Sequence, residues 1–421
     1  MEMNDLILVS VDDHIVEPPD VFERHLPARW ADRAPRLVLD PTTGLQTWTW
    51  EAGASLTTFI NAVVTLPKHE WGFDPSTLAE VRPGCYDVHQ RVRDMDANGI
   101  LASMCFPSFA GMAGTFFANA ADRALAAACL QAYNDWHVDE WCGSHPGRFI
   151  PLPISPLWDP DLAAREVRRM ARKGATAITF CEDTEALGFA SIHSGAWDPF
   201  FAACVDEDVT LAIHIASAVT QLPGPPSAPM DVKVTLPCWN ALPCAADFLW
   251  CKSLQKYPAL RIALSEGGTS WIPGFLDRME RHYDNQKWTG ADLGGLTPTE
   301  TFRRHFLACF ICDPSGLLLR DRIGVDNIAY EVDYPHSDCT WPKSPEELWE
   351  HFVLASCTEE EMRKIGWENA SRWLRFDPFA TTAPADATVG ALRARATDVD
   401  VRTRSRREYK TAWEARHGAV A

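Results

Sequence analysis

The chain has 421 residues, 46% hydrophobic content and a formal net charge of −18. That length suits one large barrel or two to three average domains, and the acidic balance argues against a nucleic-acid backbone or an anionic membrane surface as partner. No run of 18 apolar residues and no signal-peptide pattern occurs, and the thirteen cysteines are irregularly spaced and mostly inside apolar runs; a cytoplasmic protein is expected.

In chain order, the first apolar run, LILVSV (6–11), leads straight into Asp12, Asp13 and His14. Three ionisable residues at the end of a buried strand are costly unless something neutralises them, although the prolines that follow also allow a plain turn. Residues from about 35 to 85 are aromatic and hairpin-like, which suggests an insertion near the mouth of the fold. The run GILASMCF (99–106) comes next, then an amphipathic helical stretch (121–142) and RFIPLPIS (148–155). A helix is expected over 160–174, opening on Asp159-Pro160 and closing on Gly174. The runs ATAITF (175–180), VTLAIHI (209–215) and LRIALSE (260–266) follow, with FLACFICD (306–313) and NIAYEVD (327–333) last. The only CxxC, Cys309 to Cys312, falls inside one of these runs, which suits neither a redox pair nor a zinc pair. Eight strand candidates alternating with helices imply a parallel sheet, and eight favour a closed (β/α)8 barrel. The tail from about 378 onward is Ala/Thr/Pro-rich and then basic, has too little apolar content to fold alone, and is expected to be mobile or to lie against a partner or the barrel's own outer helices.

Ionisable residues mark the ends of three of these runs. Asp12 and His14 are two apart on the first and therefore share a side. His214 lies near the end of the fifth run, and Asp333 ends the last. In a parallel barrel the C-terminal strand ends share one mouth, so two carboxylates and two imidazoles are expected to converge there. Such a set suits one divalent ion, Zn, Mn or Fe. Taken singly, each histidine reads equally well as a core residue; the coincidence of four is what points to a metal.

The segments VDDHIVEPPDVF, RVRDMDANGI, AIHIAS, SEGGTSWIPGFLDRME, EVDYPHSDCTWP and KIGWENASRWLRF resemble the amidohydrolase-2 branch of the amidohydrolase superfamily, related to aminocarboxymuconate semialdehyde and resorcylate-type decarboxylases. The resemblance implies a distorted (β/α)8 barrel over residues 1–377, with the insertion at about 35–85 and residues 378–421 as a C-terminal extension. It implies Asp12, His14, His214 and Asp333 as metal ligands. Where the decarboxylases carry a histidine and, three residues on, a glutamate as an acid/base pair, this chain has Glu266 and Thr269. A glutamate suits a base or a ligand better than a proton donor. Glu266 or Asp333 is therefore expected to accept a proton and His336 to return one. His193, Trp271, Arg278 and Trp341 are further candidates for the substrate pocket, and Glu17 for support behind the ligands. The expected activity is hydrolysis or carbon–carbon cleavage of a small aromatic or conjugated carboxylate or carbonyl compound. Decarboxylation is kept as an alternative, and so is a barrel that binds without catalysis. A homodimer is expected, with no nucleic-acid or membrane partner.

Overall fold

A computed structural model describes residues 1–51, 53–72, 77–218 and 224–418. Parts of the expected insertion and the last residues of the tail lie outside these described residues. The strands are β1 (Val9–Ile15), β2 (Arg36–Leu39), β3 (Gln46–Trp50), β4 (Gly53–Ala54), β5 (Ala102–Pro107), β6 (Phe149–Ile150), β7 (Ala177–Phe180), β8 (Thr210–His214), β9 (Ile262–Ser265), β10 (Phe306–Phe310) and β11 (Ile328–Tyr330). One parallel sheet runs β1-β5-β6 and another β11-β10-β9-β8-β7, while β2-β3-β4 is antiparallel. Each of the eight apolar runs read from the sequence overlaps one of the parallel strands, with β1 continuing past its run through Asp12, Asp13 and His14 to Ile15. All of those strands are buried along their full length, which is why, apart from the polar second half of β1, they read as largely apolar runs.

The chain divides into two compact units. The N-terminal unit comprises Glu2–Pro151, Val332–Pro345 and Pro378–Ala421; the central unit comprises Leu152–Glu331 and Glu346–Asp377, together with Met1. The three-stranded parallel sheet lies in the first and the five-stranded one in the second.

Helix signals in the sequence act as capping chemistry predicts. Asp159 accepts a hydrogen bond from Leu162 N at 2.9 Å, Pro160 takes the first turn, and the helix runs Pro160–Ala171. The stretch read as one amphipathic helix starts on the Asp122 cap, is α-helical over Arg123–Trp136 and continues as a π-helical segment, His137–Cys142.

In the N-terminal unit, β2 to β4 form the expected hairpin structure. Trp48 is buried and stacks on Phe109 with ring centroids 4.4 Å apart. Ser55 Oγ donates to Phe109 O at 2.7 Å and Thr57 Oγ1 to Ser108 O at 2.6 Å, so the insertion is fastened just beyond the C-terminal end of β5.

Of the placements expected for the tail, docking on the chain itself is the one seen. Val389 and Leu392 are fully buried, Val389 N donates to Leu6 O at 2.8 Å, and Tyr409 joins Val63 and Leu66 in an apolar cluster. Thr388 and Ser405 cap the two tail helices. The tail is poor in apolar residues, but these few are the ones that dock, and an arginine binds the same unit, Arg406 Nη2 donating to Glu70 O at 2.6 Å.

Candidate metal centre

In the N-terminal unit, β1 pairs with β5 in a register that shifts between Ser10 and Asp13. Asp12 and His14 do share one side, with His14 Nε2 3.5 Å from Asp12 Oδ1. Asp13 turns the other way and is structural. It accepts from Tyr334 N at 3.0 Å, from Ser10 Oγ at 3.1 Å and from Ser103 Oγ, with Arg91 Nη1 at 3.9 Å. Burial nonetheless pushes its carboxyl up to about 6. The three ionisable residues at the end of β1 therefore divide into two for the site and one that ties the strand to its neighbours.

The segment 332–334 runs alongside β1. Val332 N donates to Ser10 Oγ at 2.9 Å, Asp333 N to Asp12 O at 2.9 Å, and His14 N to Tyr334 O at 2.7 Å. Asp333 sits at φ 60°, in the left-handed region that a side chain rarely adopts without surrounding support. Its Oδ1 lies 3.2 Å from His14 Nε2 and 2.8 Å from His336 Nδ1, and the rings of His14 and His336 stack with centroids 3.8 Å apart. Asp333 is fully buried, and neither of its oxygens receives an aligned hydrogen bond from a described donor. A desolvated carboxylate in this state calls for positive charge.

In the central unit, His214 ends β8. Its Nδ1 faces Ile215 O at 2.6 Å, and because a carbonyl only accepts, Nδ1 must donate. That leaves Nε2 with the lone pair in the neutral ring, yet Nε2 lies 3.0 Å from Glu266 Oε2, itself an acceptor. Two electron-rich atoms at that separation need a cation between or beside them, a proton or a metal ion. The donor set therefore fits a divalent ion, and Asp12, His14 and His214 are candidate metal-binding residues.

Glu266 also adopts a left-handed backbone, at φ 57°, and its N–H donates to Glu331 Oε1 at 3.0 Å. A Cβ on the following Gly267 would lie 2.5 Å from Ala241 Cβ, so only glycine fits there. Asp313 Oδ2 accepts from Thr269 N at 2.6 Å, Ser270 N at 2.7 Å and Thr269 Oγ1 at 3.1 Å. Thr269, at the position where the decarboxylases place a second acid, is thus part of the turn that aims Glu266.

The expected pocket residues divide. Trp271 Nε1 donates to Gly267 O at 2.9 Å and Gly268 O at 3.1 Å, which locks the same turn. Trp341 is buried, donates to Asp94 O at 2.9 Å and lies under the Arg82 guanidinium at 4.4 Å, a packing role. Arg278 is on the exposed face of the helix Ile272–Asn285. His193 Nε2 is 2.6 Å from Asp247 Oδ1, with both side chains about half exposed. Glu17 is fully buried and accepts from Ser108 N (2.9 Å), Phe109 N (3.1 Å) and Tyr133 Oη (3.0 Å); it clamps the β5 loop, and burial raises its carboxyl to about 7.

The sequence reading missed Arg91, Glu331 and Glu182. Arg91 is fully buried, donates to Gly84 O at 2.7 Å and to His14 O, and braces the end of β1. Glu331 was visible as an acid within an apolar run, two residues before Asp333.

The amidohydrolase family model matches residues 67–376, which takes in His214, Glu266, Asp333 and His336. The chain belongs to the amidohydrolase family. It is 24% identical over 342 residues to a gamma-resorcylate decarboxylase of Polaromonas sp. (strain JS666 / ATCC BAA-500), a match covering 76% of this chain and 95% of that protein. Among solved structures, an amidohydrolase from Mycobacterium avium subsp. paratuberculosis K-10 superposes with a TM-score of 0.69 at 22% identity, covering 88% of this chain and 99% of that one. A dihydroxybenzoic acid decarboxylase from Polaromonas sp. JS666, solved with bound manganese and the inhibitor 2-nitroresorcinol, gives 0.60 at 19% identity, over 88% and 97% of the two chains. The fold of this amidohydrolase is a distorted (β/α)8 barrel, and the protein is an enzyme. Among the described residues no helix is long and apolar enough to cross a membrane.

Proposed function

We propose that this amidohydrolase removes carbon dioxide, without oxidation, from a small hydroxylated aromatic or conjugated carboxylate. The decarboxylase relatives support the reaction class. The observation that carries it in this chain is His336, stacked on His14 with Nδ1 2.8 Å from Asp333 Oδ1. The carboxylate stabilises an imidazolium there, which is the proton donor that Glu266 does not supply.

In this reading Asp12, His14, His214 and Asp333 hold one divalent ion, manganese in preference to zinc because of the two carboxylates. Bound there, the ion supplies Lewis-acid charge to a substrate oxygen. Glu266 accepts the proton of a substrate hydroxyl at its carboxylate. The carbon–carbon bond to the leaving carboxylate then breaks, its electron pair stays on the remaining carbon, and a proton from the His336 ring takes the vacated position. We further propose a cytoplasmic homodimer. Thirteen cysteines without a disulfide suit the compartment, and Met230, Val234 and Trp239, each 51–60% exposed within one short stretch, offer apolar surface to a second copy.

The test is turnover of γ-resorcylate by the manganese-loaded enzyme in deuterated water containing ¹⁸O. Carbon dioxide release with deuterium on the ring carbon is expected. Oxygen label in the organic product without carbon dioxide would instead support hydrolysis, the second reading, which the Glu266–His214 contact favours because a carboxylate base suits water activation.

A further inference from the structure

The tail docks on the N-terminal unit, which also carries the turn from Asp333 to His336. Two lines of contact run from the tail to that turn. In the first, the Tyr409 ring packs with Val63 and Leu66, and its hydroxyl meets Thr65 Oγ1. Thr65 Oγ1 itself donates to Val64 O at 2.6 Å, so Tyr409 is the donor between the two hydroxyls. Arg404 N donates to Thr65 O at 3.0 Å and fastens the same residue through its backbone. The loop so held directs its own donors at the turn. Val63 N and Val64 N both reach Pro335 O at 3.0 Å, and Asn61 Nδ2 donates to Ser337 Oγ at 3.0 Å.

In the second line, Asp400 O accepts from Arg82 Nη1 at 2.9 Å. Arg82 is buried and grips Asp94 with Nε and Nη2, each at 2.7 Å, and Asp94 Oδ2 accepts from Tyr334 Oη at 2.7 Å. Both lines end on Tyr334 and Pro335, the two residues between Asp333 and His336.

The loop in the first line is strained. Asn61 and Thr65 adopt φ values of 54° and 67°, a region that residues with a side chain keep only where their neighbours over-determine it, and a β-branched threonine least of all. For Thr65 those neighbours are in the tail, since Arg404 takes its carbonyl and Tyr409 its hydroxyl. The strained loop in turn fixes a carbonyl next to His336, whose ring must keep its place against Asp333 and His14 to deliver a proton.

We propose that the tail segment 400–409 positions His336, with Tyr409 as the positioning residue that acts through Thr65 and the Pro335 carbonyl. The effect on rate rests on the proton-donor role proposed for His336; the mechanical link does not.

Hydrogen exchange on the manganese-loaded full chain reads the link directly. Tyr409→Ala should quicken exchange in 61–66 and 332–338 together and leave the backbone around Gly99 unchanged. Leu392→Ala, which empties another buried position of the tail, should do the reverse. In turnover of γ-resorcylate, Tyr409→Ala should lower kcat about tenfold with KM within about twofold, and Leu392→Ala should leave kcat unchanged. In a His336→Gln background Tyr409→Ala should cost no further rate, because a residue that acts through His336 then has nothing to position. Tyr409→Phe keeps the ring and loses only the hydroxyl; it should cost about threefold and carries the same comparisons if the alanine variant does not fold. Unchanged exchange in 332–338 in both Tyr409 variants, or equal quickening there in Leu392→Ala, would overturn the assignment. So would a full additional loss of rate in a His336→Gln enzyme that is itself slowed. Coupled exchange of the two segments in an enzyme that hydrolyses rather than decarboxylates would uphold the positioning and remove only the reaction.

Discussion

In the N-terminal unit one carboxylate, Asp333, faces two imidazole nitrogens, and every member of the group is 6% exposed or less. In the central unit Glu266 faces a single imidazole, its side chain is 19% exposed, and it is held mainly through its backbone by Glu331. The first arrangement suits holding charge in place. Its carboxylates are desolvated, its rings are stacked, and its backbone ladder runs from Ser10 through Asp12 to Tyr334. The second leaves its carboxylate in partial contact with solvent. The same residue types thus sit in different surroundings, and burial is what separates them.

Removing the ion should produce the largest effect. Chelation, or His14→Ala, should empty the enzyme of stoichiometric manganese by elemental analysis and take turnover to background. A protein that stays fully active after chelation would overturn the proposed metal dependence.

Next come the proton movers, on which the groups should differ in kind. His336→Gln and Glu266→Gln should each cost on the order of 10²–10⁴ in rate. Only His336→Gln, however, should also slow deuterium incorporation into carbon when product is incubated with enzyme in heavy water. Equal effects on that exchange would erase the division of labour.

A smaller effect, confined to the N-terminal unit, is expected from Leu392→Ala in the tail. Emptying this fully buried position should cost roughly 2–4 kcal/mol in chemical denaturation. Hydrogen exchange should quicken around Leu6 and Gly99, which the neighbouring Val389 touches.

The smallest belongs to the central unit and concerns pH. Burial raises the Glu182 carboxyl from 4.5 to about 7. The folded state therefore holds this proton more tightly than the unfolded chain does. The stability it contributes is complete below about pH 4.5 and is lost as pH rises through 7. Glu182→Gln should flatten the fall in unfolding free energy between pH 5 and pH 8 by on the order of 2 kcal/mol. An unchanged slope in the variant would show that another group carries it.

The sequence by itself located the eight parallel strands, because strands buried on both faces read as apolar runs. It also singled out Asp12, His14, His214 and Asp333 as candidates, through the coincidence of four metal-capable groups at run ends. Only the tertiary structure decided what each acid does. Asp12 and Asp13 are identical in sequence terms, yet the two-residue period of a strand sends one beside His14 and the other to Ser103 and Tyr334. Composition shows that the tail cannot fold alone but not where its few apolar residues land; Val389, Leu392 and Tyr409 land on one unit. Glu182 lay in no motif, and its enclosure just past β7 is a property of packing in three dimensions, which no local pattern of residues encodes.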